Sequence, residues 1–321
     1  MILSVTLNPS IYKTSIIEDF QLSQTNEIED YRIELNDGPI HTVHAIKVLQ
    51  GEPLLVGFNG GPGGRYLKSY LEKSKIKSDF TWMHQEIKTI HKLIDNKKNI
   101  ETLLIDKGIN IDEKAIRTFF QKLQNHIQEV SIMILSGDMP RGIKKEDIYR
   151  IMSIAKEKEK KMVISLETDI LKSILEKSPY AIFLDEKNLD ELEIDINNEE
   201  NMLKEIYKLL VHYKIKCIGL YLGDSKIYTI SKNKICVVDS SKRAQITVNN
   251  DKGIKDAILG CFALGIDRKY EQEKITKQMC GVELASQVAQ YDVLCQRKDV
   301  DYYTKKTKIK EVMCKANKFT I

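Results

Sequence analysis

Short apolar runs alternate along the chain with longer segments in which apolar residues recur at helical spacing. The runs have the length of buried strands and cover 2–7, 53–58, 131–135, 162–166, 181–184 and 217–222. The helical patterns between them include 64–73, 113–127, 145–158 and 199–212. Buried strands that alternate with helices are typical of a parallel sheet covered by helices on both faces. The pattern therefore predicts an α/β fold.

Two segments, 11–35 and 87–104, interrupt this alternation with the spacing of amphipathic strands and turns. We expect them to form a small separate sheet, a lid over the active edge of a single α/β domain that spans residues 1–321. Exposed strand edges and an apolar face favour a homodimer through this lid. The polar, lysine-rich tail from Arg297 onward is expected to pack loosely.

Composition and charge narrow the class of protein. The chain has 321 residues, of which 42% are hydrophobic and 30% are charged, as in globular proteins. Its 50 basic and 46 acidic residues are scattered, so it lacks the concentrated basic field of a nucleic-acid binder. The opening residues do not resemble a signal peptide, and no apolar run is long enough to span a membrane. We therefore expect a cytoplasmic protein that binds neither nucleic acid nor membranes.

The cysteines and histidines do not predict a metal site. Six cysteines lie in the last third of the chain without a C-x-x-C pair, whereas zinc sites need closely spaced pairs. In a protein of the cytoplasm these thiols are expected to be reduced and packed. His41 and His44 are interpreted as polar residues in the first turn of a helix, not as metal ligands.

The stretch 253–264 places candidate chemistry at the start of a helix. Gly253, Ile254, Lys255 and Asp256 come directly before an apolar helical run. A helix N-terminus offers unpaired N–H groups and the positive end of a dipole, which suits a phosphate. An aspartate there is placed to take a proton from an attacking hydroxyl. The alternative is that Asp256 only stabilises the first turn electrostatically, and this stretch alone leaves both open.

Further motifs carry a family resemblance. They are VTLNPSIYKT at 5–14, GFNGGPGGRYL at 57–67 with KIKSDF at 75–80, and SGDMPRGI at 136–143. With VNNDKGIKDAILGCF at 248–262, they resemble the ribokinase-like, phosphofructokinase-B type sugar kinases, in the branch of 1-phosphofructokinases and tagatose-6-phosphate kinases. The resemblance extends to about Val288 and implies a Rossmann-type three-layer sandwich with a small β-sheet lid. It also implies ATP with Mg²⁺ as cofactor, and transfer of the γ-phosphoryl group to a hydroxyl of a sugar or sugar phosphate.

The resemblance assigns a role to particular positions of this chain. Asp256 is implied as the catalytic base, with an anion hole formed by Gly253, Ile254 and Lys255. The positions implied for substrate binding are Tyr12, Gly38, His41, Lys88 and Asp106, the last near a family glutamate that is associated with magnesium and phosphates. The positions implied for nucleotide binding are Asn188, Tyr221, Gly223 and Lys226.

Several of these positions depart from the family's pattern. Lys255 replaces a glycine of the anion hole, which costs on the order of 1 kcal/mol if the backbone there needs a positive φ. Tyr12 replaces an aspartate that binds sugar hydroxyls, and the family's GGKGIN becomes NDGPIH over 36–41. Lys88 replaces an arginine that in the family grips the substrate phosphate, keeping the charge but losing the bidentate fork.

Two functions follow from this mixture of retained and altered motifs. The first is an ATP-dependent sugar kinase that uses Asp256 and has an altered acceptor pocket. The second is a catalytically impaired descendant that binds a ligand or a partner on the same scaffold, since fold alone does not settle function.

Overall fold

The computed structural model of the protein describes residues 1–35, 38–166, 170–223, 226–239, 253–289 and 295–313. Parts of three motifs therefore lie outside the described residues, namely 36–37, 224–225 and 248–252. Within the described ranges, no helix is both long enough and apolar enough to cross a membrane.

The secondary structure alternates strands and helices over most of the chain. The described strands are β1 (Ile2–Thr6), β2 (Ser10–Ile17), β3 (Asp30–Glu34), β4 (Pro53–Gly60), β5 (Lys77–Met83), β6 (Lys88–Asp95), β7 (Ile100–Ile105), β8 (Ile132–Gly137), β9 (Lys161–Leu166), β10 (Ala181–Asp185), β11 (Cys217–Leu222), β12 (Lys226–Ser231), β13 (Lys234–Asp239) and β14 (Lys310–Met313). The described helices are α1 (Gly38–Val48), α2 (Gly61–Lys73), α3 (Glu113–Ile127), α4 (Lys145–Glu157), α5 (Leu171–Leu175), α6 (Glu186–Glu191), α7 (Glu199–His212), α8 (Ile254–Asp267), α9 (Gln272–Gln287) and α10 (Arg297–Lys306).

The large sheet has ten strands in the order β14-β13-β12-β11-β10-β9-β8-β1-β4-β5. From β11 to β5 neighbouring strands are parallel, and β12, β13 and β14 extend the sheet with antiparallel pairs. Successive side chains of a strand point to opposite faces. Accordingly, Ile2 packs in a cluster with residues of α1, α8 and α9, whereas Leu3 packs with residues of α3 and α4. Helices on both faces confirm the predicted α/β fold.

The strands and helices predicted from the apolar pattern are present, with small shifts at their ends. The helices predicted over 113–127 and 199–212 have these same bounds in α3 and α7. By contrast, α2 begins at Gly61 rather than at residue 64, with a proline in its first turn. Proline suits this position because its missing N–H would have no intrahelical partner there. An apolar pattern does not detect such a turn.

The expectation that the tail packs loosely is wrong for residues 297–313. This segment forms α10 and then β14, which pairs with β13 at the edge of the large sheet. Val300 is fully buried, and its carbonyl oxygen lies 2.8 Å from where a Cβ on Gly281 of α9 would stand. A glycine on the neighbouring helix thus lets α10 pack closely, although most residues of α10 are polar.

Segments 11–35 and 87–104 contribute to a second, four-stranded sheet in the order β3-β2-β6-β7. Ile11 and Ile87 anchor this sheet to the main domain, because both are fully buried in a cluster with Val5, Leu7 and Phe58. The outer strands β3 and β7 are largely exposed.

The described cysteines are all free thiols: Cys217, Cys236, Cys261, Cys280 and Cys295. Burial raises the pKa of Cys295 to about 11 and also raises that of Cys261. Because the thiolate is the reactive form, burial lowers the reactivity of these two cysteines at neutral pH. Cys314 lies outside the described residues.

Candidate active site

A cavity of about 240 Å³ lies between the four-stranded sheet and the carboxyl ends of β8 and β9. Ligands of open α/β sheets bind beyond the carboxyl ends of the strands, so this cavity is the candidate active site. Its wall consists of Ser10, Tyr12, Gly38, Lys88, Ile90, Gly137, Asp138, Ser165, Lys255 and Asp256. It thereby brings together five of the residues predicted for the site, namely Tyr12, Gly38, Lys88, Lys255 and Asp256.

The N-terminus of α8 opens onto this cavity. Gly253 caps the helix in the left-handed conformation, with φ 66°, and no side chain of the described residues caps the N-terminus. A Cβ on Gly253 would stand 2.3 Å from the buried ring of His41, so only glycine fits. Lys255 lies within the helix, not at a positive φ. The strain considered for Lys255 therefore does not arise, because the left-handed residue is Gly253.

Asp256 lies in the first turn of α8, where α1 and α8 meet. Its Oδ1 is 2.6 Å from the position that a Cβ on Gly38 would occupy, so a glycine is required beside the carboxylate. The hydroxyl of Thr42 on α1 donates to the backbone carbonyl of Asp256 at 3.0 Å and lies 3.1 Å from that of Gly38. These contacts hold Asp256 against the start of α1.

Lys255 binds a carboxylate that the sequence analysis did not single out. Its Nζ lies 2.5 Å from Oδ2 of Asp185, and both side chains are more than four-fifths buried. The other oxygen of Asp185 accepts the N–H of Asn188 and so caps α6. Asn188 in turn donates its side-chain amide to the carbonyl of Leu166 at the end of β9. Asn188, predicted to bind nucleotide, here joins the ends of β9 and β10.

The wall formed by the second sheet follows from the register of β2 and β6. Ser10 lies opposite Lys88, and Tyr12 lies opposite Ile90. Residues two apart on a strand point to the same face. One face of this strand pair therefore presents all four side chains to the cavity, and Tyr12 lines it as expected from the sequence.

Lys88 reaches the cavity, but it is bound to Asp138 at the carboxyl end of β8. The side chains of Lys88 and Asp138 are 20% and 44% exposed, so the pair is formed at the cavity surface. Sequence reasoning missed Asp138, although the signal was present. Asp138 lies within the SGDMPRGI motif at 136–143 that carries the family resemblance.

Asp106, predicted to bind substrate, is outside the cavity wall and exposed. Its carboxylate accepts the backbone N–H of Thr89 at 3.0 Å and that of Gly108 at 2.7 Å. Gly108 has φ 60°, and a Cβ there would lie 3.0 Å from Cβ of Lys88. Asp106 thus holds a loop against the stem of Lys88.

The remaining residues predicted for the nucleotide are not gathered at the cavity. Tyr221 is buried among the residues that pack between the sheet and α8. Lys226 pairs with Glu199 at 2.5 Å. Gly223 has φ 44° at the end of β11, and residues 224–225 of the same motif lie outside the described residues.

The two histidines of α1 have different neighbours. His41 packs against Gly253, whereas Nδ1 of His44 lies 3.1 Å from the hydroxyl of Tyr70. Burial lowers the pKa of His44 to about 4, so it is neutral at pH 7. In the described part of the chain, no group of three or more His, Cys, Asp or Glu side chains is arranged to hold a metal ion.

Comparison with known proteins identifies the family. The profile of the pfkB family carbohydrate kinases matches residues 39–291, well over half of the chain. A 1-phosphofructokinase of Borreliella burgdorferi is 26% identical over 304 residues, which cover 94% of this chain and 95% of the relative. A tagatose-6-phosphate kinase of Staphylococcus epidermidis is 23% identical over 284 residues, which cover 87% of this chain and 89% of the relative.

Among solved structures, the tetrameric inhibited form of phosphofructokinase-2 from Escherichia coli has a similar fold. Its TM-score is 0.80 at 17% identity, with 95% of this chain and 98% of that chain covered. The fold, the helix N-terminus with its aspartate and the sequence matches agree: the chain belongs to the pfkB family of carbohydrate kinases.

Proposed function

We propose that this protein transfers the γ-phosphoryl group of ATP to a hydroxyl of a sugar or sugar phosphate, with Asp256 as the general base. The observation that carries this proposal is the placement of Asp256. Its carboxylate lies in the wall of the cavity and in the first turn of a helix that begins after Gly253 and has no side-chain cap from the described residues. A proton acceptor and a set of backbone donors for an anion are thereby adjacent.

The chain's residues act on the acceptor and on the transferred group. Asp256 takes the proton of the acceptor hydroxyl. The hydroxyl oxygen then forms a bond to the γ-phosphorus, while the bond between that phosphorus and the β–γ bridging oxygen breaks. The N–H groups of the first turn of α8 stabilise the negative charge on the transferred group. Lys255 lies in the same turn, where its ammonium group is held in an ion pair with Asp185. Positioning and electrostatics of this kind account for most of the catalysis of phosphoryl transfer.

One buried oxygen atom fits the magnesium ion that accompanies ATP. Oε2 of Glu191 is buried and has no hydrogen-bond partner among the described residues. Glu191 lies three positions after Asn188 on α6, hence on the same side of the helix as the residue that reaches the end of β9. Mg²⁺ usually keeps several waters and binds few protein carboxylates. When bound, Mg²⁺ neutralises phosphate charge, and Glu191 would hold it directly or through a water molecule.

The alternative is a non-catalytic descendant of this scaffold. It rests on the altered motifs, among which the replacement of a glycine by Lys255 is prominent. The backbone strain that made Lys255 unfavourable does not arise, since the residue is helical. The family and both relatives bear the names of carbohydrate kinases, which favours the active enzyme.

Nucleotide binding and turnover test this proposal. We expect calorimetry to detect ATP binding that is strengthened by Mg²⁺, and a coupled assay to detect ADP formation that depends on added sugar. The panel should contain fructose, tagatose and their phosphates. Absence of sugar-dependent ADP formation with the whole panel, despite folded protein, would favour the non-catalytic alternative.

We further propose a homodimer in which the lid, defined as β2, β3, β6 and β7, contacts the lid of a second copy. On β7, Leu103 and Ile105 are 50% and 59% exposed. Ile105 lies opposite Ile90, which lines the cavity. Leu103 is two residues from Ile105 on the same strand, so Leu103 and Ile105 both lie on the cavity side of the sheet. Exposed apolar residues on an outer strand are typical of an interaction surface.

Substitutions that place negative charges on the cavity side of β7 test the proposed dimer. We expect the double substitution Leu103→Glu and Ile105→Glu to convert a dimer into a monomer in sedimentation, because two carboxylates would be buried at the interface. Leu104→Glu is the matched control, since Leu104 is 54% exposed on the opposite face of the same strand. A wild-type protein that is monomeric at tens of micromolar would contradict this proposal.

We assign the reaction to the cytoplasm. The donor, ATP, is available there, and the described cysteines are all free thiols, as is usual in a reducing compartment.

A further inference from the structure

The charged groups in the cavity wall balance each other. The positive groups are Lys88 and Lys255 and the negative groups are Asp138 and Asp256, so the formal charge of these four side chains sums to zero at neutral pH. Each lysine also has a carboxylate partner, because Lys88 pairs with Asp138 and Lys255 with Asp185. The described wall therefore presents no net positive charge to an acceptor.

The carboxylate of Asp138 affects which ligand groups bind favourably beside Lys88. A phosphate ester is close to a dianion at pH 7, and next to this pair it would approach a carboxylate as well as an ammonium group. To bind Lys88 it would have to displace Asp138, which would then lose its cation. A sugar hydroxyl meets no such conflict, because it can donate to the Asp138 carboxylate and accept from the Lys88 ammonium.

A second feature of the wall also suits a hydroxyl group. Ser165 is 4% exposed and lines the cavity, and its Oγ has no hydrogen-bond partner among the described residues. Buried polar atoms are nearly always hydrogen-bonded in folded proteins, so a water molecule or a bound ligand is expected to supply the partner. The hydroxyl of Ser165 can both donate to and accept from a sugar hydroxyl.

We infer that Asp138 is a specificity-determining residue that selects an unphosphorylated sugar or sugar alcohol as acceptor and disfavours a sugar phosphate. This inference rests on the proposed kinase function, since it concerns the acceptor of that reaction. Asp138 acts by neutralising Lys88 and by offering a carboxylate to hydroxyl groups of the acceptor.

Equilibrium binding in the absence of nucleotide tests the inference independently of turnover. The probes are fructose and tagatose on one side and their 6-phosphates on the other, each titrated into the full-length protein by calorimetry. We expect the wild type to bind the neutral sugars at least tenfold more tightly than the 6-phosphates. Asp138→Asn keeps the shape but removes the charge and releases Lys88. It should therefore tighten binding of the 6-phosphates at least tenfold, about 1.4 kcal/mol.

Two further variants locate the effect. Adding Lys88→Ala to Asp138→Asn should abolish the gain, because the released ammonium is what attracts the phosphate. Glu193→Gln is the matched control, since it also removes a carboxylate that pairs with a lysine, Lys172, but on the exposed surface. It should leave all four affinities unchanged.

The outcomes separate this inference from the proposed function. A preference for neutral sugars without ADP formation would support the role of Asp138 while the kinase proposal fails. Faster ADP formation with the 6-phosphates than with the neutral sugars would overturn the role of Asp138 while the kinase proposal stands. An Asp138→Asn variant with unchanged affinity for the 6-phosphates would also overturn it, and so would binding of neither class of sugar, whereas the kinase proposal stands or falls with sugar-dependent ADP formation.

Discussion

Asp256→Asn is expected to lower kcat by roughly 10²-fold or more, the usual range for loss of a general base. Asparagine has nearly the same shape as aspartate, but its amide cannot take the proton of the acceptor hydroxyl. The first turn of α8 and the left-handed Gly253 should be retained, because the contacts from Thr42 to this turn involve the backbone carbonyl of Asp256. The affinity for ATP should therefore change little.

Steady-state kinetics with the best acceptor of the panel, together with calorimetry for ATP, measure this prediction. Asp267→Asn is the matched control, because it makes the same change in the last turn of the same helix. The two aspartates are eleven positions apart in the sequence, which corresponds to roughly 16 Å along the helix axis. The control should keep full activity. If Asp256→Asn retained more than a third of the wild-type kcat, the base would have to be another group.

Gly260→Ala is expected to destabilise the protein by about 2 kcal/mol, within the range found for overpacked cores. Gly260 lies where α8 crosses α1, and its Cβ would stand 2.4 Å from the backbone oxygen of Thr42. A backbone atom inside a packed helix cannot move aside as a side chain does, so the two helices must separate. Since Thr42 also links α1 to Asp256, kcat should fall together with stability.

Urea denaturation of Gly260→Ala and Gly265→Ala isolates this effect. Both changes replace glycine by alanine within α8, so the gain in helix propensity, about 1 kcal/mol, is common to both. At Gly265 the new Cβ would meet a side-chain atom of Ile275, at 2.7 Å, and a side chain can shift more easily than the backbone of a packed helix. Equal free energies of unfolding for the two variants would contradict the tight crossing of α1 and α8.

Local patterns predicted much of the scaffold. Apolar runs such as 53–58 and helical spacing such as 113–127 identify strands and helices, because burial on one or two faces imposes a period on the sequence. The same patterns missed α10, whose residues are mostly polar. Its place depends on Gly281 of α9, and a contact between two helices has no period within either one.

Motifs predicted the position of Asp256, but not how its neighbours would be used. Asn188, Asp106 and Lys226 carry residue types suited to ligands, yet their hydrogen bonds and ion pairs go to other parts of the protein. A motif states which residue occupies a position. It does not show which side chain or backbone group, distant in the sequence, will form a hydrogen bond or an ion pair with that residue.

The sequence by itself determined the α/β class, the family resemblance and the aspartate at the start of α8, because each depends on residues close together in the chain. Only the tertiary structure decided that Lys255 pairs with Asp185 and Lys88 with Asp138, since these partners are 70 and 50 residues apart. It also decided that the left-handed residue is Gly253, with the ring of His41 beneath it. Electrostatic pairing and steric fit depend on distance in space, and the fold alone sets that distance.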